Sequence, residues 1–419
     1  MELPDPKVGK KVAQADKNGY ICHEITVKNL YAMKRMWIAA LIMCLICGCA
    51  MAEVTVGAAR TNLYVPLLKG KRIALLSNQT GMVGKKHTLD VMLENGLNVV
   101  TIFSPEHGFR GNADAGEHVS SGVDEKTGVP IASLYDGKSP MPKKEVMDRV
   151  DVIVIDIQDV GLRFYTYYVT MINLMDAAIT YDKSVMVLDR PNPNGMTVDG
   201  PILDMSLKSG VGRLPIPTVY GMTMGELARM ANGEGWLKDG KKVRLLTVIP
   251  CLGYTHRTRY RLPIAPSPNL PNMLSVYLYP STCYFEGTDV SLGRGTPWPF
   301  QVYGHPDMTG YRFEFTPASV SGAKNPPQLG KLCHGVDLHK MRESDAIGQG
   351  INLEYVIDAY RNLGHGEKFF KRFFDLLMGK KEIKQMIMDG KSAAEIKATW
   401  ADDVARFREQ RRPYLLYAE

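Results

Sequence analysis

Asp151-Val152-Ile153-Val154-Ile155-Asp156-Ile157-Gln158-Asp159 is the stretch that sets the fold class. Four consecutive β-branched residues, with no polar position among them to mark a solvent face, predict a strand buried on both sides. The same theme recurs on either side. Arg72–Leu76 is an apolar strand ending in Ser77-Asn78-Gln79-Thr80-Gly81, and Val99–Phe103 runs into Ser104-Pro105-Glu106-His107-Gly108. Val185–Leu188 ends in Asp189-Arg190-Pro191-Asn192-Pro193. Helical patterns separate the strands. One spans Thr88 to Asn95, with Leu89 and Leu93 four apart and Gly96 as its stop, and another spans Tyr165 to Tyr181. Strand alternating with helix predicts an α/β fold with a mostly parallel sheet covered by helices on both faces.

Further along, Thr223 and Glu226 make a capping box, and Lys242–Pro250 reads as a fifth strand. Gly111–Val129 reads as a long polar loop. Four prolines between Pro263 and Pro271 mark irregular backbone, so the domain change is expected there. Residues 53–270 are expected to form the sheet domain, and residues 271–419 a smaller α+β domain that completes a cleft. In the latter, Tyr311–Phe315 alternates aromatic and charged residues, and helices are expected at Asn352–Leu363, Gly366–Leu377 and Ala393–Glu409.

Residues 1–52 are different in kind. Met33-Lys34-Arg35 is a short basic start, Met36–Ala50 is an uncharged apolar run, and Ala50-Met51-Ala52 offers a small-residue cleavage site. These are the three parts of a secretory signal peptide. The polar residues before Met33 have no place in such a signal, and Met33 is read as the true start. Export to the periplasm or the extracellular side is expected. Ile46-Cys47-Gly48-Cys49 is an imperfect lipobox, which makes Cys49 a candidate lipid anchor. After the leader only Cys251, Cys283 and Cys333 remain, too few for a disulfide framework or a cysteine-rich metal site. The chain carries +7 overall, of which the first 52 residues contribute +3. The remaining balance shows no basic stripe for nucleic acid, and it suits an anionic small substrate.

In open α/β sheets ligands sit beyond the carboxyl ends of the strands. That edge gathers Asn78, Glu106, His107, Arg110, Asp156, Gln158, Asp159, Arg163, Tyr165, Asp189, Arg190 and Asn192. Glu106, flanked by Phe103 and Phe109, is placed to be desolvated and to act as a general acid; capping the following turn is its plainer role. His107 is read as its orienting neighbour. Asp156, Gln158, Asp159, Arg163 and Tyr165 form either a sugar-binding edge or an internal Asp–Arg pair that holds a loop. Two prolines fix where Arg190 and Asn192 point. A later run, Phe285-Glu286-Gly287-Thr288 to Gly293-Arg294-Gly295-Thr296, offers Glu286 as a second carboxylate and Arg294 as a bidentate grip for a substrate carboxylate. No Gly-x-Gly-x-x-Gly follows the first strand, and neither His-Glu-x-x-His nor Gly-x-Ser-x-Gly occurs. No cofactor and no metal is expected.

Ser104-Pro-Glu-His-Gly-Phe-Arg-Gly111, Asp156–Tyr167, Leu188–Pro193, Pro266-Ser-Pro-Asn-Leu-Pro271 and Phe285–Thr296, in this order, resemble the NamZ-like exo-β-N-acetylmuramidases, a glycoside hydrolase family. The resemblance runs from about Thr61 to the C-terminus. It departs at Met196, after Asn194-Gly195, where the family pattern has a second glycine. It implies a Rossmann-like domain plus a smaller C-terminal domain, with the active site in the cleft between them and the catalytic glutamate on Glu106. It also implies release of terminal N-acetylmuramic acid from the non-reducing ends of peptidoglycan fragments. Arg110, Arg163, Arg190 and Arg294 are then candidates for the lactyl carboxylate. Asp156, Asp159, Glu286 or the substrate's own acetamide are candidates for the second group. A non-catalytic cell-wall sugar-binding protein is the alternative, and a nucleotide-dependent oxidoreductase lacks its glycine fingerprint.

Overall fold

The computed structural model describes residues 54–106, 108–109, 121–134, 137 and 139–419. The expected leader, Cys49, the start at Met33, His107 and Arg110 lie outside these residues. Val54–Glu419 forms one compact unit.

Seven strands build the main sheet: β1 (Arg72–Ser77), β4 (Asn98–Ser104), β5 (Gly122–Val123), β6 (Pro130–Ser133), β7 (Val152–Asp156), β8 (Ser184–Leu188) and β9 (Leu246–Ile249). A short hairpin, β2 (Met82–Val83) with β3 (Lys86–His87), lies outside it. The sheet order is β5-β6-β4-β1-β7-β8-β9, and every pairing is parallel except that of β5 with β6. Because side chains alternate across a strand, each apolar run feeds two cores. Ala74, Leu76, Ile153, Ile155, Val185 and Val187 pack on one face. Ile73, Leu75, Val152, Val154, Met186 and Leu188 pack on the other. Helices fill in where the periodicity placed them, at Thr88–Glu94 and Tyr167–Thr180. The Thr223–Glu226 capping box starts a helix at Met224.

The C-terminal part holds a second, antiparallel sheet of β10 (Val302–His305), β12 (Cys333–Asp337) and β11 (Phe313–Phe315), surrounded by short helices. Two expectations about helix length need correction. The last helix is two, Ala393–Ala398 and Ala401–Arg411, because Trp400 turns inward and is 2% exposed. The stretch from Gly366 splits into a 3-10 turn and a helix at Arg372–Met378. β5 and β6 also interrupt the end of the expected loop and its continuation. Cys251, Cys283 and Cys333 are buried, unpaired thiols.

The order in which strands are added reverses at β1. The chain moves outward through β4 and β6, then returns to β7 on the other side. The crevice between the ends of β1 and β7 is where a doubly wound fold presents its ligand site. Here protein fills it. Arg190 donates to Asp156 at 2.6 and 2.9 Å and to the Met82 carbonyl at 3.1 Å, with both partners of the ion pair almost fully buried.

Candidate active site

Pro105 ends β4, and Glu106 follows it, half-buried, with Oε2 accepting a 2.6 Å hydrogen bond from the Thr166 hydroxyl. Thr166 is the N-cap residue of the Tyr167–Thr180 helix. Residues three and four apart share a helix face, so Thr166, Thr170 and Asn173 form one polar stripe. That stripe and Glu106 line a cavity of about 570 Å³. Ser209, Gly210, Val211 and Arg213 form one rim, and Ser267, Tyr279, Glu286, Arg294, Phe300 and Phe373 close the C-terminal side. An aromatic lining with a few convergent polar groups suits one sugar ring.

Glu286 and Arg294 enter as a pair. Arg294 donates from Nε at 3.0 Å and from Nη2 at 2.5 Å to the same oxygen of Glu286, and its guanidinium sits 4.9 Å above the Phe300 ring centre. Burial works against the arginine's charge, but Glu286 outweighs it and holds the Arg294 pKa above its ordinary value. The same two side chains also face a second cavity of about 350 Å³, walled by Gly322–Pro327.

Tyr165 lines the main cavity with its ring, and its hydroxyl donates to the Pro266 carbonyl at 2.8 Å. Tyr167 packs edge-on to it and reaches the same carbonyl. Burial pushes both phenols upward, so neither is a ready proton donor.

The other sequence-predicted residues that the structure describes do not line this cavity, and each has an internal reason. Asp156, read as a catalytic acid, is locked to Arg190, and that pair leaves Arg190 no approach to a substrate. Arg163, read as a carboxylate binder, is wholly buried. It donates to the carbonyls of Pro201, Ile216, Leu377 and Met378 at 2.6 to 3.1 Å, tying the sheet domain to the C-terminal helices. A Cβ on Gly379, whose φ is +79°, would come within 2.3 Å of that guanidinium. Gln158 donates to the carbonyls of Asp159 and Pro191. Asn192 donates to the Met222 carbonyl and accepts from the Asn194 backbone. Asn78 accepts from Thr80 through both its amide and its hydroxyl. Asp159 accepts from Gly161 N–H and Tyr220 hydroxyl at 2.7 Å each, and burial pushes its carboxyl up to about 6.

Sequence reasoning missed Thr166, Thr170, Asn173 and Arg213. The first three carried a usable signal in their helical spacing. Arg213 carried none, because Asp176, which positions it, lies far away in sequence.

Comparison with known proteins agrees with this architecture. The family model for the N-terminal part of the exo-β-N-acetylmuramidase NamZ matches residues 73–274, and the model for its C-terminal part matches residues 277–417. The peptidoglycan β-N-acetylmuramidase NamZ of Bacillus subtilis (strain 168) is 38% identical over 375 residues, covering 84% of this chain and 89% of the relative. A crystal structure of a DUF1343 family protein from Bacteroides fragilis NCTC 9343 superposes with a TM-score of 0.82 at 60% identity, covering 88% of this chain and all of that one. A second DUF1343 protein from the same organism gives 0.73 at 28% identity, covering 87% of this chain and 99% of its own.

Proposed function

The chain belongs to the NamZ family of exo-β-N-acetylmuramidases, and from that premise we propose that it is a glycosidase that removes terminal N-acetylmuramic acid from peptidoglycan fragments with Glu106 as general acid/base. The observation that carries this reading is the placement of Glu106 and Glu286 on the walls of one cavity. Glycoside hydrolysis needs a group that protonates the leaving oxygen and a second that meets the sugar's developing positive charge.

Glu106 takes the first role. The Thr166 hydroxyl holds its Oε2, and the carboxyl lines the cavity that receives the glycosidic oxygen. Glu286 takes the second. Arg294 binds only one of its oxygens, so the other meets the anomeric centre or the water that attacks it. The aromatic rings exclude bulk water and strengthen both interactions. The leader-like residues 33–52 support a reaction outside the cytoplasm, with Cys49 as a candidate anchor.

Hydrolysis of a chromogenic β-N-acetylmuramic acid glycoside tests this reading. Glu106→Gln is expected to lower kcat by about 10²–10⁴-fold. Unimpaired turnover by that variant would remove Glu106 from the role.

A further inference from the structure

We propose that Arg213 reads the lactyl carboxylate of the terminal sugar and so sets the preference for N-acetylmuramic acid over its uncharged analogues; this rests on the glycosidase reading above. N-acetylmuramic acid differs from N-acetylglucosamine by an ether-linked lactyl group that ends in a carboxylate. A site that selects it needs a cation at the rim, away from the reacting bond.

Among the described residues two cations line the cavity, Arg213 and Arg294. Arg294 is the more committed of the two, with only Nη1 lacking an acceptor among the described residues. Two of its nitrogens serve Glu286, and its plane rests on Phe300. Arg213 uses only Nη2, which donates to Asp176 at 2.8 Å, and its side chain remains 30% exposed. Its Nε and Nη1 meet no acceptor among the described residues, which leaves donors for a ligand carboxylate.

The mounting of Arg213 is rigid. Asp176 also accepts the Lys238 backbone N–H at 2.7 Å, which fixes the carboxylate that holds the guanidinium. The Arg213 backbone N–H donates to the Tyr168 hydroxyl at 2.9 Å. The Ser209–Gly212 turn just before it forms the cavity rim. One helix sets the spacing between acid and cation. Thr166 at its start holds Glu106, and Asp176, ten residues on and about 15 Å along the axis, holds Arg213. A sugar ring between them presents its glycosidic oxygen to Glu106 and its substituted edge to Arg213.

The test is calorimetric binding of N-acetylmuramic acid and of its lactyl methyl ester, which lacks the charge, to wild type, Arg213→Met and Arg213→Lys. Wild type should prefer the acid. Arg213→Met should lose about 10- to 100-fold for the acid while binding the ester within a few-fold of wild type, and Arg213→Lys should recover part of the loss. A wild type that binds acid and ester alike overturns the proposal. So does an Arg213→Met protein that keeps the acid preference, or one that loses both ligands equally while Arg213→Lys restores neither. Wild-type turnover of the chromogenic glycoside is a separate readout. Its absence beside an intact acid preference would sink the hydrolytic reading and leave the role of Arg213 standing.

Discussion

Two acid-bearing regions lie at the carboxyl edge of the same sheet, and they behave oppositely. At the ends of β7 and β8, on one side of the central strand β1, Asp156 is wholly buried against Arg190. Asp189 there accepts from Thr223 and Tyr417 hydroxyls and from Gly225 N–H. At the end of β4, on the other side of the central strand β1, Glu106 accepts from Thr166 and lines a cavity. The groups at β7 and β8 are consumed in holding loops together. The carboxyl at β4 is positioned by Thr166 on a cavity wall. A cluster of polar residues at strand ends therefore marks where a site is permitted, and packing against the rest of the chain decides which member is used.

Substitutions that separate stability from turnover sharpen this contrast. The largest effect belongs to Glu106→Gln, expected to cost about 10²–10⁴-fold in kcat with an unchanged melting temperature, since the amide still accepts from Thr166. A cooperative loss of fold in that variant would place Glu106 with the structural acids. Asp156→Asn should do the reverse. It leaves the Arg190 guanidinium buried without its counter-charge, at about 3–5 kcal/mol of stability by denaturant unfolding, while the folded fraction keeps its turnover. If Asp156→Asn were as stable as wild type but inactive, the division between the two regions would fail.

The smallest effect is a pH dependence. Burial raises the folded-state carboxyl of Asp159 from 3.8 to about 6. Its contribution to stability is present in full below the unfolded value and is lost as pH rises through about 6. Asp159→Asn mimics the protonated form and removes that term. The stability of wild type relative to the variant should therefore fall by about 2–3 kcal/mol between pH 4 and pH 7. Parallel pH curves would show that Asp159 does not titrate in this way.

Much of the fold could be read directly because local pattern carried it. The β-branched run Val152–Ile155, the apolar runs ending at Leu76, Phe103 and Leu188, and the Thr223–Glu226 box each state their own conformation. β6 was hidden because Pro130-Ile131-Ala132-Ser133 is short and begins with a residue that cannot donate to a ladder. The site was legible in part. Glu106, Tyr165, Glu286 and Arg294 share the cavity, while Asp156, Arg163 and Arg190 do not, and nothing local separates the two groups. Arg163 is spent on carbonyls from residues as distant as Met378, and that partnership is a property of the folded chain. Arg213 was invisible for the same reason, since Asp176 on another element gives it its orientation.

A crystal structure of Glu106→Gln bound to a β-N-acetylmuramic acid glycoside tests the division between the two regions most directly. The sugar is expected in the cavity of about 570 Å³, with its glycosidic oxygen within about 2.6–3.2 Å of the side chain at position 106 and Glu286 across the anomeric carbon. A glycosidic oxygen against any other carboxylate, or a sugar bound outside that cavity, would contradict the account.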